Sequence, residues 1–138
     1  MSLSLAIIGT TNHELMEFSL DKTLKTIDKI DTDQIYVFSN KKIRCKHSYK
    51  YIELDKKFDL CSYTIFCLKE LHKFIETDHV MTIQYDGFPT KGKYWNDDYL
   101  KYDCIGPLVA TMNPAVSNWF SQIDDPRAKT DGVISSFS

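Results

Sequence analysis

The stretch that decides the fold is residues 79–106, HVMTIQYDGFPTKGKYWNDDYLKYDCIG. Its apolar run, Val80–Ile83, predicts a buried strand. The run ends in Gln84-Tyr85-Asp86-Gly87, which places one carboxylate at the carboxyl end of the strand, beside a glycine that can turn tightly. Ligands bind at that edge in open α/β sheets. The aromatic and acidic residues 94–99 follow directly, and burying one strand does not require them, so the stretch indicates a functional site.

Strand and helix patterns alternate on the N-terminal side of this stretch. Apolar runs predict strands at Leu3–Ile8, Gln34–Phe38 and Tyr51–Leu54. Two helices are predicted, one that follows Thr11 and ends at about Ile30, and one over Leu60–Thr77. This alternation is typical of βαβ units. We therefore predict an α/β fold with a Rossmann-like, open and mainly parallel sheet, helices on both faces and the strand order 3-2-1-4.

Each predicted helix carries one apolar stripe that should face the sheet. These stripes are Met16, Leu20, Leu24 and Ile27 in the first helix, and Cys61, Ile65, Leu68, Leu71 and Ile75 in the second. The first helix has the spacing of a capping box, with Thr11 as N-cap and Glu14 reaching back to it. Farther along, Asn96 is expected to cap a short helix over residues 97–102, and Cys104-Ile105 to open a fifth strand.

Length and composition fit one domain with a sizeable core. The chain has 138 residues, of which 43% are hydrophobic, and a net charge of −2, so we expect no nucleic-acid partner. Residues 1–111 are predicted to form the domain, and residues 112–138, which lack periodicity, an irregular C-terminal extension of it. No apolar run approaches the ~20 residues that span a bilayer, and the start of the chain lacks a signal-peptide pattern. The four cysteines show neither CxxC nor metal-ligand spacing, which favours reduced thiols in a cytoplasmic protein.

Polar side chains follow three of the predicted strands. They are Thr10, Thr11 and Asn12 after the first strand, Ser39 and Asn40 after the second, and Gln84, Tyr85 and Asp86 after the fourth. If the first and fourth strands are neighbours, these groups converge on one crevice, where the N–H groups of a helix N-terminus favour a nucleotide or phosphate. The alternative is that Thr11 and Asn12 only cap the helix. The basic loop Lys41–Lys50 either attracts an anionic ligand or is simply solvated.

Carboxylates supply the other candidate chemistry. Asp86 is the candidate ligand for Mg²⁺ or Mn²⁺, provided that substrate phosphates and water supply the remaining oxygens; its alternative role is to cap a turn. A general base is sought among Asp97, Asp98 and Asp103, which are otherwise helix-cap or solvated acids. The four histidines are too scattered for a zinc site, and no Walker A, GxGxxG or GxSxG motif occurs.

An ordered series of motifs resembles a known family. The segments AIIGTTNH, SYTIFCLKEL, TDHVMTIQYDGF, WNDDYL and YDCIG occupy residues 6–13, 62–71, 77–88, 95–100 and 102–106. In order and spacing they resemble the DUF5672 family, whose domains are related to GT-A-type glycosyltransferases. The resemblance covers about Leu3 to Pro107. It implies a GT-A-type sheet that binds a nucleotide sugar, with donor contacts after the first strand and with Gln84-Tyr85-Asp86 where such enzymes carry a metal-binding D-x-D.

The chain departs from that family at two places. The first position of the D-x-D equivalent is Gln84, so one carboxylate stands where two are common. After Gly106 the glycine-rich motif expected on the acceptor side is absent, so the chain resembles a donor half. The resemblance predicts a glycosyltransferase-like domain that binds a nucleoside-diphosphate sugar, with a divalent cation at Asp86 and with Trp95 or acids of residues 97–103 facing the sugar or acceptor.

Two other functions remain open at this point. One is a non-catalytic nucleotide-sugar-binding or assembly module that has lost the acceptor half, which the missing glycine-rich motif favours. The other is a Rossmann-like binding domain unrelated to sugars, which must treat the motif series as coincidence. The sequence does not identify the sugar, the glycan or other acceptor, the stereochemical outcome or the oligomeric state.

Overall fold

Two compact units make up the chain, Met1–Leu100 and Lys101–Ser138. The computed structural model describes residues 2–106 and the backbone of two short strands, 108–110 and 133–135. The predicted irregular extension over residues 112–138 therefore lies largely outside the described residues. In the described part of the chain, no helix is long and apolar enough to cross a membrane.

The first unit contains a four-stranded, fully parallel sheet in the order β3-β2-β1-β4. Its strands and helices, in chain order, are β1 (Leu3–Ile8), α1 (His13–Thr26), β2 (Ile35–Ser39), β3 (Lys50–Glu53), α2 (Leu60–Lys69) and β4 (His79–Ile83). Short 3₁₀ helices lie at Leu71–Lys73, Gly92–Tyr94 and Asp97–Lys101. The predicted α/β class, parallel sheet and strand order are thus confirmed.

The two faces of the sheet are covered by different helices. Along β1, Leu3, Leu5 and Ile7 belong to one apolar cluster with Met16 and Leu20 of α1. The alternate β1 residues, Ala6 and Ile8, belong to a second cluster with Phe66 of α2. Because β1 is buried on both faces, five of its six residues are apolar, as is usual for a central parallel strand. The exception, Ser4, is buried and donates its hydroxyl to the His79 carbonyl at 3.3 Å.

β4 forms one edge of this sheet and is less buried than predicted. Only Ile83 is fully buried, whereas the other four residues of the strand are half-buried. Pairing still fixes its position, since Leu3 faces His79 and Ile7 faces Ile83 across the ladder. The carboxyl ends of β1 and β4 are therefore neighbours.

Helix α1 confirms its predicted stripe but not its predicted ends. Met16, Leu20 and Ile27 are buried. The helix ends at Thr26 rather than near Ile30, because Ile27 turns to extended backbone (φ −111°, ψ 101°), and both Ile27 and Ile30 are buried in the core.

Helix α2 presents a different face to the sheet from the one predicted. Phe66 is buried, but Cys61, Ile65 and Leu68 of the predicted stripe are exposed. The helix also ends at Lys69, and a separate 3₁₀ turn carries Leu71 into the core. The single helix predicted over residues 60–77 is therefore wrong.

The second unit contains a small antiparallel pair. Leu108–Ala110 forms β5 and Val133–Ser135 forms β6, with Val109 opposite Ile134. The fifth strand predicted at Cys104-Ile105 is wrong, since both residues are irregular and exposed. In the sequence a proline follows at position 107, and proline has no N–H to donate to a strand ladder.

Candidate site at the carboxyl edge of the parallel sheet

The loops that follow β1, β2 and β4 leave the same edge of the sheet. β1 lies between the other two strands, and the Gly9 N–H donates to the Phe38 carbonyl at 3.0 Å just beyond the ladder. Parallel pairing therefore places the polar residues that follow β1 beside those that follow β4 on one side and β2 on the other. This neighbourhood of strand ends follows from the confirmed strand order 3-2-1-4.

Thr10 is a structural member of this edge. Its side chain is 5% exposed, and its Oγ1 accepts a hydrogen bond from the Phe58 N–H at 2.9 Å. This bond ties the loop before α2 to the loop after β1. The bond uses one acceptor site of the Thr10 hydroxyl and leaves its proton to donate. The neighbouring residues Thr11 and Asn12 are exposed.

The start of α1 differs from the predicted capping box. Asn12, not Thr11, is the N-cap; it has left-handed backbone (φ 54°, ψ 47°), and its side chain makes no capping hydrogen bond. Asparagine tolerates this conformation better than most residues. The predicted cap at Thr11 with Glu14 is therefore wrong. No side chain in the described part of the chain accepts from the first-turn N–H groups, so they remain able to bind an anion.

His13 also lies at this edge, although no motif in the sequence points to it. Its Nε2 lies 2.7 Å from Oδ1 of Asn40, so the first residue of α1 is linked to the end of β2. Ser39 is fully buried, and its hydroxyl donates to the same Asn40 oxygen at 3.5 Å.

A tight turn carries the acidic candidate. The Gln84 N–H donates to the Gly87 carbonyl at 2.9 Å, and the Gly87 N–H donates to the Gln84 carbonyl at 3.3 Å. Tyr85 packs against the core on the α1 face, whereas Asp86 is exposed. Within residues 2–106, Asp86 forms no hydrogen bond or ion pair, so its predicted alternative role as a turn cap has no bond to support it.

The backbone conformation at Gly87 does not require a glycine. Its φ lies outside the left-handed region, and a Cβ added there would meet nothing within 4 Å. The turn therefore forms without the special freedom of glycine. Asp86, the residue before Gly87, is exposed.

Trp95 and Asp97 lie elsewhere. The Trp95 Nε1–H donates to Asp97 Oδ1 at 2.8 Å, and Lys29 Nζ lies 3.4 Å from Asp97 Oδ2. The indole hydrogen bond, followed by Lys29, holds the pKa of Asp97 below its ordinary value. Lys29 follows the C-terminal end of α1, so this cluster lies at the end of the helix opposite the Asn12 cap.

The path of the chain after β4 explains why Trp95 and Asp97 lie at the C-terminal end of α1. After the Asp86 turn, Phe88 packs edge-on against Phe18 of α1, with ring centroids 6.0 Å apart. Gly92 then lies so close to the last turn of α1 that an added Cβ would be 1.6 Å from the Thr26 carbonyl oxygen. The segment thus runs back along α1, whose 14 residues span about 21 Å.

Asp98 and Asp103 are the remaining predicted acids. The Asp98 N–H donates to Oδ1 of Asn96 at 2.9 Å, so Asn96 starts the predicted short helix, which is 3₁₀ rather than α. Asp98 is exposed beside Asp97. Asp103 is exposed and belongs to the second unit. Across the described ranges, no group of three or more His, Cys, Asp or Glu side chains could hold a metal ion.

No protein-family model, curated protein or solved structure matches this chain. The functional assignment therefore depends on the geometry of the carboxyl edge and on the residues present there.

Proposed function

We propose that this chain is a glycosyltransferase-like domain that binds a nucleoside-diphosphate sugar between the carboxyl ends of β1 and β4. One observation carries the proposal: the exposed carboxylate of Asp86, without a partner in the described part of the chain, follows a strand adjacent to β1, whose own loop leads into the open N-terminus of α1. An anion-binding helix end and a cation-binding carboxylate at the same edge of the sheet suit a diphosphate with a divalent cation.

Each residue of the edge has a distinct part in this proposal. The first-turn N–H groups of α1 donate hydrogen bonds to the phosphate oxygens, and Thr11 and Asn12 lie beside these N–H groups. Thr10 holds the loop in shape through Phe58, and the bond from His13 to Asn40 fixes the start of the helix against β2. The hydroxyl of the buried Ser39 donates a hydrogen bond to the same Asn40 oxygen.

The oxygen atoms of Asp86 and Gln84 suit Mg²⁺ or Mn²⁺ only if a bound nucleotide completes the coordination of the ion. The carboxylate of Asp86 and the carbonyl oxygens of Gln84 are hard oxygen ligands. One carboxylate alone, however, binds either ion only weakly. Substrate phosphates and water would have to supply the other oxygens. When bound, the cation neutralises charge on the departing diphosphate. Cation binding should therefore depend on the nucleotide.

The resemblance to the DUF5672 family supports this proposal from a separate direction. It concerns the same segments, namely the loop after β1 and the turn that bears Asp86. The parallel sheet with order 3-2-1-4 is the architecture that the resemblance implies. The four cysteines are free thiols, which is consistent with a cytoplasmic location.

A second candidate function is a binding module without transferase activity. The observation that favours it is the position of Asp97, whose carboxylate is engaged by Trp95 and Lys29 at the far end of α1. The proposed general bases are therefore not beside Asp86 within the first unit. A module of this kind would bind the donor and leave transfer to a glycan or other acceptor to another protein.

Calorimetric titration of the intact chain with UDP, GDP and UDP-sugars tests the proposal. With Mn²⁺ present, one of these ligands should bind; with chelator present, binding should weaken at least tenfold, and Mn²⁺ alone should give little heat. The proposal fails if none of the nucleotides binds in either condition. Release of nucleoside diphosphate from a bound sugar nucleotide then separates the two functions, because a transferase or hydrolase releases it and a binding module does not.

A further inference from the structure

His13 presents one ring nitrogen that the fold does not use. Its Nε2 lies 2.7 Å from Oδ1 of Asn40, and because an amide oxygen only accepts hydrogen bonds, Nε2 carries a proton. Within the described residues, Nδ1 of His13 makes no hydrogen bond. The only buried side-chain nitrogen or oxygen without a partner in that part of the chain is Nδ1 of His79, so Nδ1 of His13 is open to solvent. Asn40 therefore holds the ring by one nitrogen and leaves the other available.

The available nitrogen lies beside the open N–H groups of α1. The Met16 N–H donates to the Asn12 carbonyl at 2.9 Å, so the His13 N–H precedes this bond at the start of the helix. The covalent geometry of histidine keeps Nδ1 within about 5 Å of its own backbone nitrogen. A phosphate oxygen that accepts hydrogen bonds from the first turn of α1 is therefore within reach of Nδ1.

Charged side chains lie near His13 in the chain but do not engage its ring. Glu14 follows it on α1 and Lys41 lies in the loop after β2, and both are exposed. Glu17, one helical turn farther on, accepts from the backbone N–H and the Nε–H of Arg44 at 2.8 and 3.3 Å. Within residues 2–106, His13 forms no ion pair. No carboxylate of this part of the chain thus competes with an anionic ligand for the imidazole.

We infer that His13 binds the diphosphate as an imidazolium, donating from Nδ1 to a phosphate oxygen at the first turn of α1 and from Nε2 to Asn40. This inference rests on the proposed function and adds a cationic side chain to its binding site. An anion beside the ring favours the protonated form, in which both ring nitrogens are donors. Such charge-assisted hydrogen bonds are about twice as strong as neutral ones. Asn40 is then a positioning residue, because it acts on the ligand only through His13.

Calorimetric titration of the full chain with inorganic pyrophosphate and Mg²⁺ tests this inference, with His13→Gln compared against His47→Gln. His47 is the matched control because it is an exposed histidine that makes no hydrogen bond or ion pair among the described residues. His13→Gln should weaken pyrophosphate binding about tenfold, whereas His47→Gln should leave the affinity within about twofold. Equal affinities in the unmodified chain and in His13→Gln overturn the inference.

Proton uptake on binding provides a readout that does not depend on the shape of the edge. The titrations are repeated near neutral pH in Hepes and in Tris, because the two buffers differ in heat of ionisation and the difference in binding heat gives the number of protons exchanged. Binding favours the imidazolium, so the unmodified chain and His47→Gln should take up more protons than His13→Gln. The same proton uptake in all three proteins would contradict a charged His13 at the diphosphate.

Asn40→Ala separates the imidazole from the residue that orients it. This variant keeps the imidazole and its charge, so pyrophosphate affinity should fall less than in His13→Gln, and proton uptake should persist. An affinity loss as large as that of His13→Gln, without proton uptake, would show that the bond between the two residues only shapes the edge. If pyrophosphate, UDP and GDP all fail to bind the unmodified chain, the proposed function fails together with this inference. Binding that is insensitive to His13 overturns the inference alone.

Discussion

Asp86 and Asp97 are eleven residues apart in the sequence, yet the fold places them at opposite ends of α1. Both are exposed acids in short turns. Asp97 is held by an indole N–H and a lysine, whereas Asp86 has no partner among the residues that the structure describes. The difference separates an acid whose bonds hold the fold together from an acid whose carboxylate makes no bond among the residues that the structure describes.

The segment between the two acids makes this arrangement possible. It leaves β4 at the carboxyl edge, contacts α1 through Phe88 and reaches the last helical turn at Gly92. Trp95 then packs against the core on the α1 face. If this path were disrupted, the Asp97 cluster would separate from Lys29, while the hydrogen-bonded turn that carries Asp86 would be free to remain.

The largest expected effect comes from breaking the segment at Gly92. An alanine there would place a Cβ 1.6 Å from the Thr26 carbonyl oxygen, so backbone must move. We expect Gly92→Ala to cost about 3 kcal/mol of unfolding free energy, or a fall of roughly 10 °C in melting temperature. Thermal unfolding followed by circular dichroism measures this.

Gly87→Ala is the matched control for that substitution. A Cβ at Gly87 meets nothing within 4 Å, and the residue does not have left-handed backbone. Its effect should stay within about 0.5 kcal/mol. If the two alanine substitutions lower the unfolding free energy equally, the close approach of Gly92 to α1 does not hold the segment between Asp86 and Asp97 in place.

A smaller effect is expected from acid titration of the Asp97 cluster. The folded pKa of Asp97 lies below its ordinary value of 3.8, so its stabilising contribution is present above pH 3.8 and is lost as the pH falls through the folded pKa. Asp97→Asn should therefore lower the melting temperature slightly near neutral pH, and the difference from the unmodified chain should shrink below pH 3.8.

Asp86→Asn provides the contrast in the same experiment. Because Asp86 has no partner within residues 2–106, its substitution should change the melting temperature little at either pH. Melting curves at neutral pH and near pH 3 suffice for both variants. A loss of stability in Asp86→Asn larger than that in Asp97→Asn would reverse the comparison between the two acids.

The sheet could be predicted from the sequence because its signals are local and agree with one another. β1 is apolar at every position except Ser4, and the buried residues of α1 recur at helical spacing, so both elements can be identified from the sequence. Right-handed crossovers then leave few strand orders to consider. That strand order also places the polar residues at the end of β1 next to those at the end of β4.

Helix α2 and the segment after Asp86 could not be predicted in the same way. Helix α2 has no charged residue from Leu60 to Leu68, so no charged face marks its solvent side. The sequence therefore does not decide between the stripe that contains Ile65 and the face that contains Phe66. The cap moved from Thr11 to Asn12 because asparagine can adopt left-handed backbone. The return of the segment along α1 depends on Gly92 fitting against Thr26, a tertiary contact that no periodicity reveals.

The central claim, that Asp86 holds a divalent cation against a bound diphosphate, is tested most directly by nucleotide affinity in matched variants. Asp86→Asn and Asp97→Asn are titrated calorimetrically with the preferred nucleotide in the presence of Mn²⁺. Asp86→Asn should weaken binding at least tenfold, about 1.4 kcal/mol, with an unchanged melting temperature, while Asp97→Asn keeps its affinity within about twofold. Unchanged nucleotide affinity in Asp86→Asn, together with a lowered melting temperature, would contradict the claim.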